Sequence, residues 1–250
     1  MTRSLALITG ASSGLGAEYA RQLAAAKCSL ILTARRQDKL AELAAELSGA
    51  HGVEASILVA DLATDEGIAT VAGRIAAEPT LDLLINNAGY AFVEPLAKSA
   101  LDRHLAMNSV HITATLALTH AALPGMLAAG GGEIINVSSM SAWNATPGAI
   151  SYAASKAYVN ILSEGVQAET KDQGIHVQAL CPGFTRTGFH ASEQWGGIDM
   201  SWLPKEAWME ASDVVQQSLA HLGSGSGVIL VPGEGNRAVL AAGVKNPYWA

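Results

Sequence analysis

The chain has 250 residues, of which half are hydrophobic and 15% charged, with a formal net charge of −7. This composition supports a sizeable core and excludes a disordered chain, and the acidic balance argues against nucleic acid or an anionic membrane as a partner, since both select a basic face. Two cysteines are too few for a disulfide framework; Cys28 and Cys181 sit in apolar runs and read as reduced, buried thiols of a cytoplasmic protein.

In chain order, residues 1–4 show no signal-like segment and lead into a strand-like run at 5–9. Further strands are expected at 28–33, 53–59, 81–85, 132–138, 175–180 and 227–231. Helical patterns lie between them at 14–27, 37–50, 64–77, 99–129, 151–172 and 212–222. The strands are near-continuously apolar, which implies burial on both faces and a parallel sheet. Regular strand–helix alternation predicts an α/β, doubly wound parallel sheet with helices on both faces, built as one domain over 1–250. The longest apolar stretch, 116–129, is interrupted by His120 and Pro124 and reads as too short and too broken to span a bilayer. Residues 184–211 show no clear strand and only a short possible helix near 204–209, so they read as a functional loop.

The first strand runs into Thr9-Gly10-Ala11-Ser12-Ser13-Gly14-Leu15-Gly16, and a helix follows at once. Glycines in that position let a phosphate reach the exposed N–H groups of a helix start. The second strand ends in Ala34-Arg35-Arg36. An acid there would hydrogen-bond a ribose 2′-hydroxyl; Ala34 followed by two guanidiniums suits a 2′-phosphate instead. Asp61 follows the third strand and is free to face a nucleotide, because Thr64 is the better helix cap. Small residues in Asn87-Ala88-Gly89 would let a ring or ribose lie against the backbone after the fourth strand, and Asn87 could also tie strands together.

Tyr152 and Lys156 are one turn apart at the start of a helical pattern, so they share a face. A free phenol has a pKa near ~10, and an adjacent ammonium would bring it closer to working pH. Ser139 stands at the end of the fifth strand, where a hydroxyl can hydrogen-bond a substrate oxygen. Asn108 interrupts an apolar helical pattern and, if buried, needs partners. The seven histidines are scattered without ligand spacing, so no metal site is expected.

Together the glycine loop, Asn86-Asn87-Ala88-Gly89, Asn108, Ser139, Tyr152-x-x-x-Lys156 and Cys181-Pro182-Gly183 resemble the short-chain dehydrogenase/reductase family, in order and over nearly the whole chain. The resemblance implies a Rossmann-type sheet of seven strands in the order 3-2-1-4-5-6-7 and a nicotinamide cofactor. It makes Tyr152 the general acid/base, Lys156 its ribose-binding partner, Ser139 the substrate-orienting hydroxyl and Asn108 the holder of a relay water. It assigns Gly10, Ser12, Ser13, Gly14, Leu15 and Gly16 to the phosphates, Asp61 and Leu62 to the adenine, and Pro182, Gly183, Thr185 and Thr187 to the nicotinamide side. Arg35, with Arg36 beside it, is similar to the basic residue of NADP-preferring members, although many of those also carry Arg or Lys where this chain has Ser13. The stretch 184–211 coincides with the family's substrate lid. Its Phe184, Phe189, Trp195 and Trp202, with Tyr90, Trp143 and Asn144, would line the mouth for an apolar carbonyl or alcohol. The expected activity is NADP(H)-dependent interconversion of the two, in a homodimer or homotetramer assembled through the long helices. The alternatives are an NAD-dependent member and a catalytically idle NADP-binding scaffold.

Overall fold

Residues 3–144, 147–189, 204–222, 224 and 227–242 are described here from a computed structural model. The apolar run Leu5–Thr9 forms β1, with Ala6, Leu7 and Ile8 fully buried. Chain order continues with α1 (Gly14–Ala25), β2 (Ser29–Ala34), α2 (Gln37–His51), β3 (Ala55–Val59), α3 (Asp65–Ala76) and β4 (Leu83–Asn86). Then come α4 (Leu101–Asn108), α5 (Ala114–Ala129), β5 (Gly132–Val137), α6 (Ile150–Thr170) and β6 (Ile175–Leu180). After β7 (Thr185–Arg186) and β8 (Met209–Glu210), the described chain closes with α7 (Ala211–Leu222), β9 (Ile229–Leu230) and α8 (Glu234–Ala241).

Seven strands form a parallel sheet in the order β3-β2-β1-β4-β5-β6-β9, so β9 takes the place of the seventh predicted strand. Alternate side chains of each strand point to opposite faces. Ala6 and Ile8 meet Tyr19 and Leu23 of α1, Leu40 of α2 and Val214 of α7. Leu7 and Leu84 face the other way, onto Ile68 and Val71 of α3, Leu118 of α5 and Val166 of α6. Each such leucine or isoleucine contributes about 1.5–3 kcal/mol on burial, which is what holds helices to both faces.

Four features differ from the sequence expectation. The edge strand β3 is not buried on both faces: Ile57 and Val59 are 37% and 44% exposed, and among the described residues β3 has a strand partner, β2, on one side alone. The pattern 99–129 forms one run, Leu101–Ala129, long and apolar enough by length and composition to cross a membrane. Here it lies on the sheet, with Val110, Ala114, Leu118, Ala122 and Met126 buried, while Leu105, Leu116 and Leu127 remain exposed. A π turn, Ser109–Thr113, joins its two α-helical parts. Within 184–211, β7 and β8 pair in parallel, so the stretch does contain strands. They were invisible because two residues carry no period. Helix α8 was also unforeseen.

The approach of α3 to the loop before it allows no side chain at Gly67, where a Cβ would stand 2.0 Å from the Asp61 carbonyl oxygen. Gly67→Ala is expected to lower the stability measured by urea unfolding by about 2 kcal/mol, the scale of overpacking against backbone. An unchanged midpoint would show that the helix can move away freely.

Candidate active site

The exits of β1 and β4 are bound to each other. The Thr9 hydroxyl accepts from the Asn87 and Ala88 N–H groups at 2.8 and 2.9 Å, and the Asn87 side-chain amide donates to the Thr9 carbonyl at 2.8 Å. Asn87 therefore does tie strands together. Gly10 turns the chain at φ +66°, and a Cβ on Gly16 would lie 2.5 Å from both the Asn87 amide nitrogen and the Gly10 carbonyl oxygen. Helix α1 then starts with no side-chain cap from Ser13 and no acid in its first turn. Its N–H groups and dipole are open to an anion.

Two guanidiniums flank that opening. Arg36 donates to the Ser12 carbonyl and to the Ser12 and Ser13 hydroxyls. Arg35, largely exposed, has the Asp61 carboxylate at 4.0 Å. Asp61 also accepts from the Ala63 N–H, while Thr64 caps α3 by accepting from Gly67, as its sequence position suggests. An uncapped helix start flanked by two guanidiniums fits a phosphorylated nucleotide.

Tyr152 and Lys156 occupy the first turns of α6. Lys156 is buried, its ammonium donating to the Val137 carbonyl at 2.8 Å and lying 5.6 Å from the centre of the Tyr152 ring. Ser139 accepts from the Ser141 N–H at 3.1 Å, and its hydroxyl also bonds the Tyr152 phenol. The expectation that Lys156 lowers the phenol's pKa is not met. Burial pushes Tyr152 up to about 12, opposed by the Ser139 hydroxyl beside it, and burial pushes Lys156 down to about 8. Desolvation disfavours both charged forms, and it outweighs their attraction at this separation.

Two histidines of the long helix brace the start of α6. His104 bonds the Ser99 and Ser151 hydroxyls at 2.6 and 2.7 Å. His111, in the π turn, bonds the Tyr90 N–H and the Ser155 hydroxyl. The apolar setting of both gave no sign of this in the sequence.

One cavity of about 1520 Å³ connects the glycine loop to Tyr152. Of the expected nucleotide residues, Gly10, Ser12, Ser13, Gly14, Leu15, Arg35, Arg36, Asp61, Leu62, Asn87, Ala88 and Gly89 line it. So do Pro182, Gly183, Thr185 and Thr187, with Thr187 lying against Gly14. At the other end it is lined by Ser139, Tyr152 and Lys156 with Tyr90, Asn144, Phe184 and Phe189. Phe189 lies 6.2 Å, centre to centre, from the Tyr152 ring. Gly16 is packed beneath the loop instead of lining the cavity. Asn108 ends α4, partly exposed, and is not among the lining residues; no side-chain hydrogen bond of it is found among the described residues. Trp143 is likewise absent from the wall, because it packs onto Ala179, Cys181 and Val231. Trp195 and Trp202 lie outside the described residues. The sequence reading missed Phe92, Arg103 and Ala106, and also Asn236 and Val239 from α8. Arg103 and Ala106 are three apart on α4 and share a face, a signal that needs the cavity to give it meaning.

The family model described as short chain dehydrogenase matches residues 4–195. Among curated proteins, the chain is 35% identical over 188 residues to a very-long-chain 3-oxoacyl-CoA reductase of Anas platyrhynchos, over 73% of this chain and 60% of that protein. It is 30% identical over 212 residues to an inactive hydroxysteroid dehydrogenase-like protein 1 of Pongo abelii, over 84% and 62% respectively. The match thus spans less than two thirds of the length of either relative. A solved short-chain dehydrogenase from Sphingobium yanoikuyae in complex with NADPH is similar at TM-score 0.85 and 32% identity, covering 99% of this chain and 98% of that one.

The depressed pKa of Lys156 carries a signed consequence. Between about 8 and the ordinary 10.5 the unfolded chain holds this proton and the folded one does not, so stability rises with pH through that window. Lys156→Met removes this contribution. The difference in unfolding free energy between wild type and variant should change with pH from 8 to 10.5, by on the order of 1 kcal/mol per unit at most. Parallel stability profiles in urea titrations would contradict the assignment.

Proposed function

The chain belongs to the short-chain dehydrogenase family, and from that premise we propose that it is an NADP(H)-dependent oxidoreductase interconverting a carbonyl and an alcohol on a fairly apolar small molecule. The observation that carries the reading is the continuity of one cavity, from the glycine loop with Arg35 and Arg36 to Ser139, Tyr152 and Lys156. The nicotinamide cofactor, when bound, supplies or accepts the hydride. Tyr152 gives its phenolic proton to the substrate oxygen in reduction and takes it back in oxidation. Ser139, whose hydroxyl bonds the Tyr152 phenol, donates to the same oxygen when substrate is bound, orienting it and stabilising the charge that develops there. Lys156, held against the Val137 carbonyl, keeps a cation near the phenolate that proton transfer leaves.

The preference for NADP is supported by Ala34 in place of an acid, by the two guanidiniums, and by the NADPH held by the Sphingobium relative. Phe92, Met140, Phe184 and Phe189 on the wall support an apolar substrate, and the reductase name of the Anas relative agrees with a carbonyl. The inactive name of the Pongo relative supports one other reading, a cofactor-binding scaffold without turnover.

Absorbance of NADPH mixed with a panel of ketones and aldehydes separates these. Turnover is expected, with Tyr152→Phe reducing kcat by about 10²- to 10⁴-fold and leaving NADPH binding intact. Full turnover in Tyr152→Phe removes Tyr152 from the chemistry, while tight NADPH binding with no consumption across the panel assigns the scaffold. For the cofactor, Arg35→Asp should lower the ratio of NADP to NAD specificity by about 30-fold, the equivalent of one charge-assisted contact of about 2 kcal/mol. A ratio that does not move rejects Arg35 as the discriminating residue.

A further inference from the structure

We infer that His111 is a positioning residue for Tyr152, acting as the neutral imidazole that carries its proton on Nδ1. The inference rests on the proton-transfer reading of Tyr152 and adds a residue to it. His111 is 1% exposed and sits in the π turn Ser109–Thr113 of the long helix. Such one-turn insertions are frequent at functional sites.

The hydrogen bonds determine the tautomer. A backbone N–H can only donate, so the Tyr90 N–H at 3.2 Å requires a lone pair on His111 Nε2. The proton therefore resides on Nδ1, which donates to the Ser155 hydroxyl at 2.8 Å. Ser155 in turn donates to the carbonyl of Tyr152, also at 2.8 Å. The imidazole ring meets the Tyr152 ring edge-on with 5.7 Å between centres, and meets Tyr90 in the same way at 6.1 Å. His111 thus joins the loop after β4, which lines the cavity, to the backbone and the ring of the tyrosine.

The close fit has a further requirement. A Cβ on Gly89 would fall 2.9 Å from His111 Nε2 and 3.7 Å from Lys156 Nζ, so glycine is what admits both side chains. The groups facing the ring are Lys156, Tyr152 and Ser155 from α6 and Tyr90 from the loop, with no carboxylate among them. Protonation at Nε2 would set one N–H against another and place a second cation beside the Lys156 ammonium. Burial and Lys156 accordingly hold His111 well below the ordinary histidine range. A leucine of similar bulk would leave the Tyr90 N–H without this acceptor and break the link to Ser155, so the ring is held here by its nitrogens and not by packing alone.

The test compares His111→Leu, His111→Gln and Tyr152→Phe in the NADPH-consumption assay across pH. Removing His111 should lower kcat about tenfold or more, as misplacement of a reacting group does. The KM for NADPH should stay within about twofold, and the pH profile of kcat/KM should shift where Tyr152 titrates. His111→Gln, which can still accept from Tyr90, should recover part of the loss. Losses that merely follow the melting temperature, with an unshifted profile, overturn the inference. If Tyr152→Phe is inactive and the His111 profiles are unshifted, only this inference falls; if Tyr152→Phe is fully active, the proton-transfer reading falls first. Should the His111 variants fail to fold, nitrogen-15 NMR of the wild-type imidazole at neutral pH decides. A neutral ring protonated at Nδ1 supports the inference, and a ring protonated at Nε2 or titrating near 6.5 overturns it.

Discussion

The Thr9 hydroxyl accepts two successive N–H groups from the exit of β4, and the Asn87 amide returns to the carbonyls of Thr9 and Gly10. In a doubly wound sheet the winding reverses between β1 and β4, and the carboxyl ends of those two strands open a crevice. Here these few bonds set its width. With the two loops drawn together, Gly16 has no space for a side chain, and α1 must begin where its free N–H groups face the crevice. The same loop from β4 continues through Gly89 and Tyr90 to His111 and the start of α6. The glycine-loop end and the Tyr152 end of the cavity are therefore held by one connected set of short contacts.

Electrostatics at the proton end follow from this enclosure. Lys156 is buried and Tyr152 partly so, and the withdrawal of water favours the neutral forms of phenol and amine over the charged ones. The ammonium is satisfied by the Val137 carbonyl rather than by the phenol itself. A neutral phenol beside the Ser139 hydroxyl is suited to donation, in keeping with a carbonyl oxygen as the proposed acceptor. Cys181 shares the setting: burial pushes its thiol up to about 12, so it stays protonated and serves as packing beneath the site.

The long helix is the second organising element. Its α5 part lays Leu118, Ala122 and Met126 on the sheet, while its α4 part brings His104 to Ser151. The π turn between them turns His111 inward, next to Tyr152. Two histidines of one helix thereby hold the first turns of another by their serines, on either side of the tyrosine. Rigid support from neighbouring elements is what a proton-transfer group needs to stay within hydrogen-bond reach of a substrate.

Local chemistry in the sequence determined much of this protein. Apolar runs separated by amphipathic patterns specified seven parallel strands, since period and burial are properties of consecutive residues, while their order was implied by the family resemblance. Glycine spacing after β1 located the tight turn into the uncapped start of α1, Thr64 located the cap of α3, and the one-turn spacing of Tyr152 and Lys156 put both on a common face. Tertiary structure alone decided the rest. It turned Trp143 onto Cys181 and away from the cavity, left Asn108 outside the wall, brought Asn236 in from α8, and paired β7 with β8. It also set the direction of the pKa shift at Tyr152, contrary to the pairwise expectation from Lys156. Desolvation, close approach and hydrogen-bond partnership depend on which distant segments close around a group, and that neighbourhood exists only once the chain has folded.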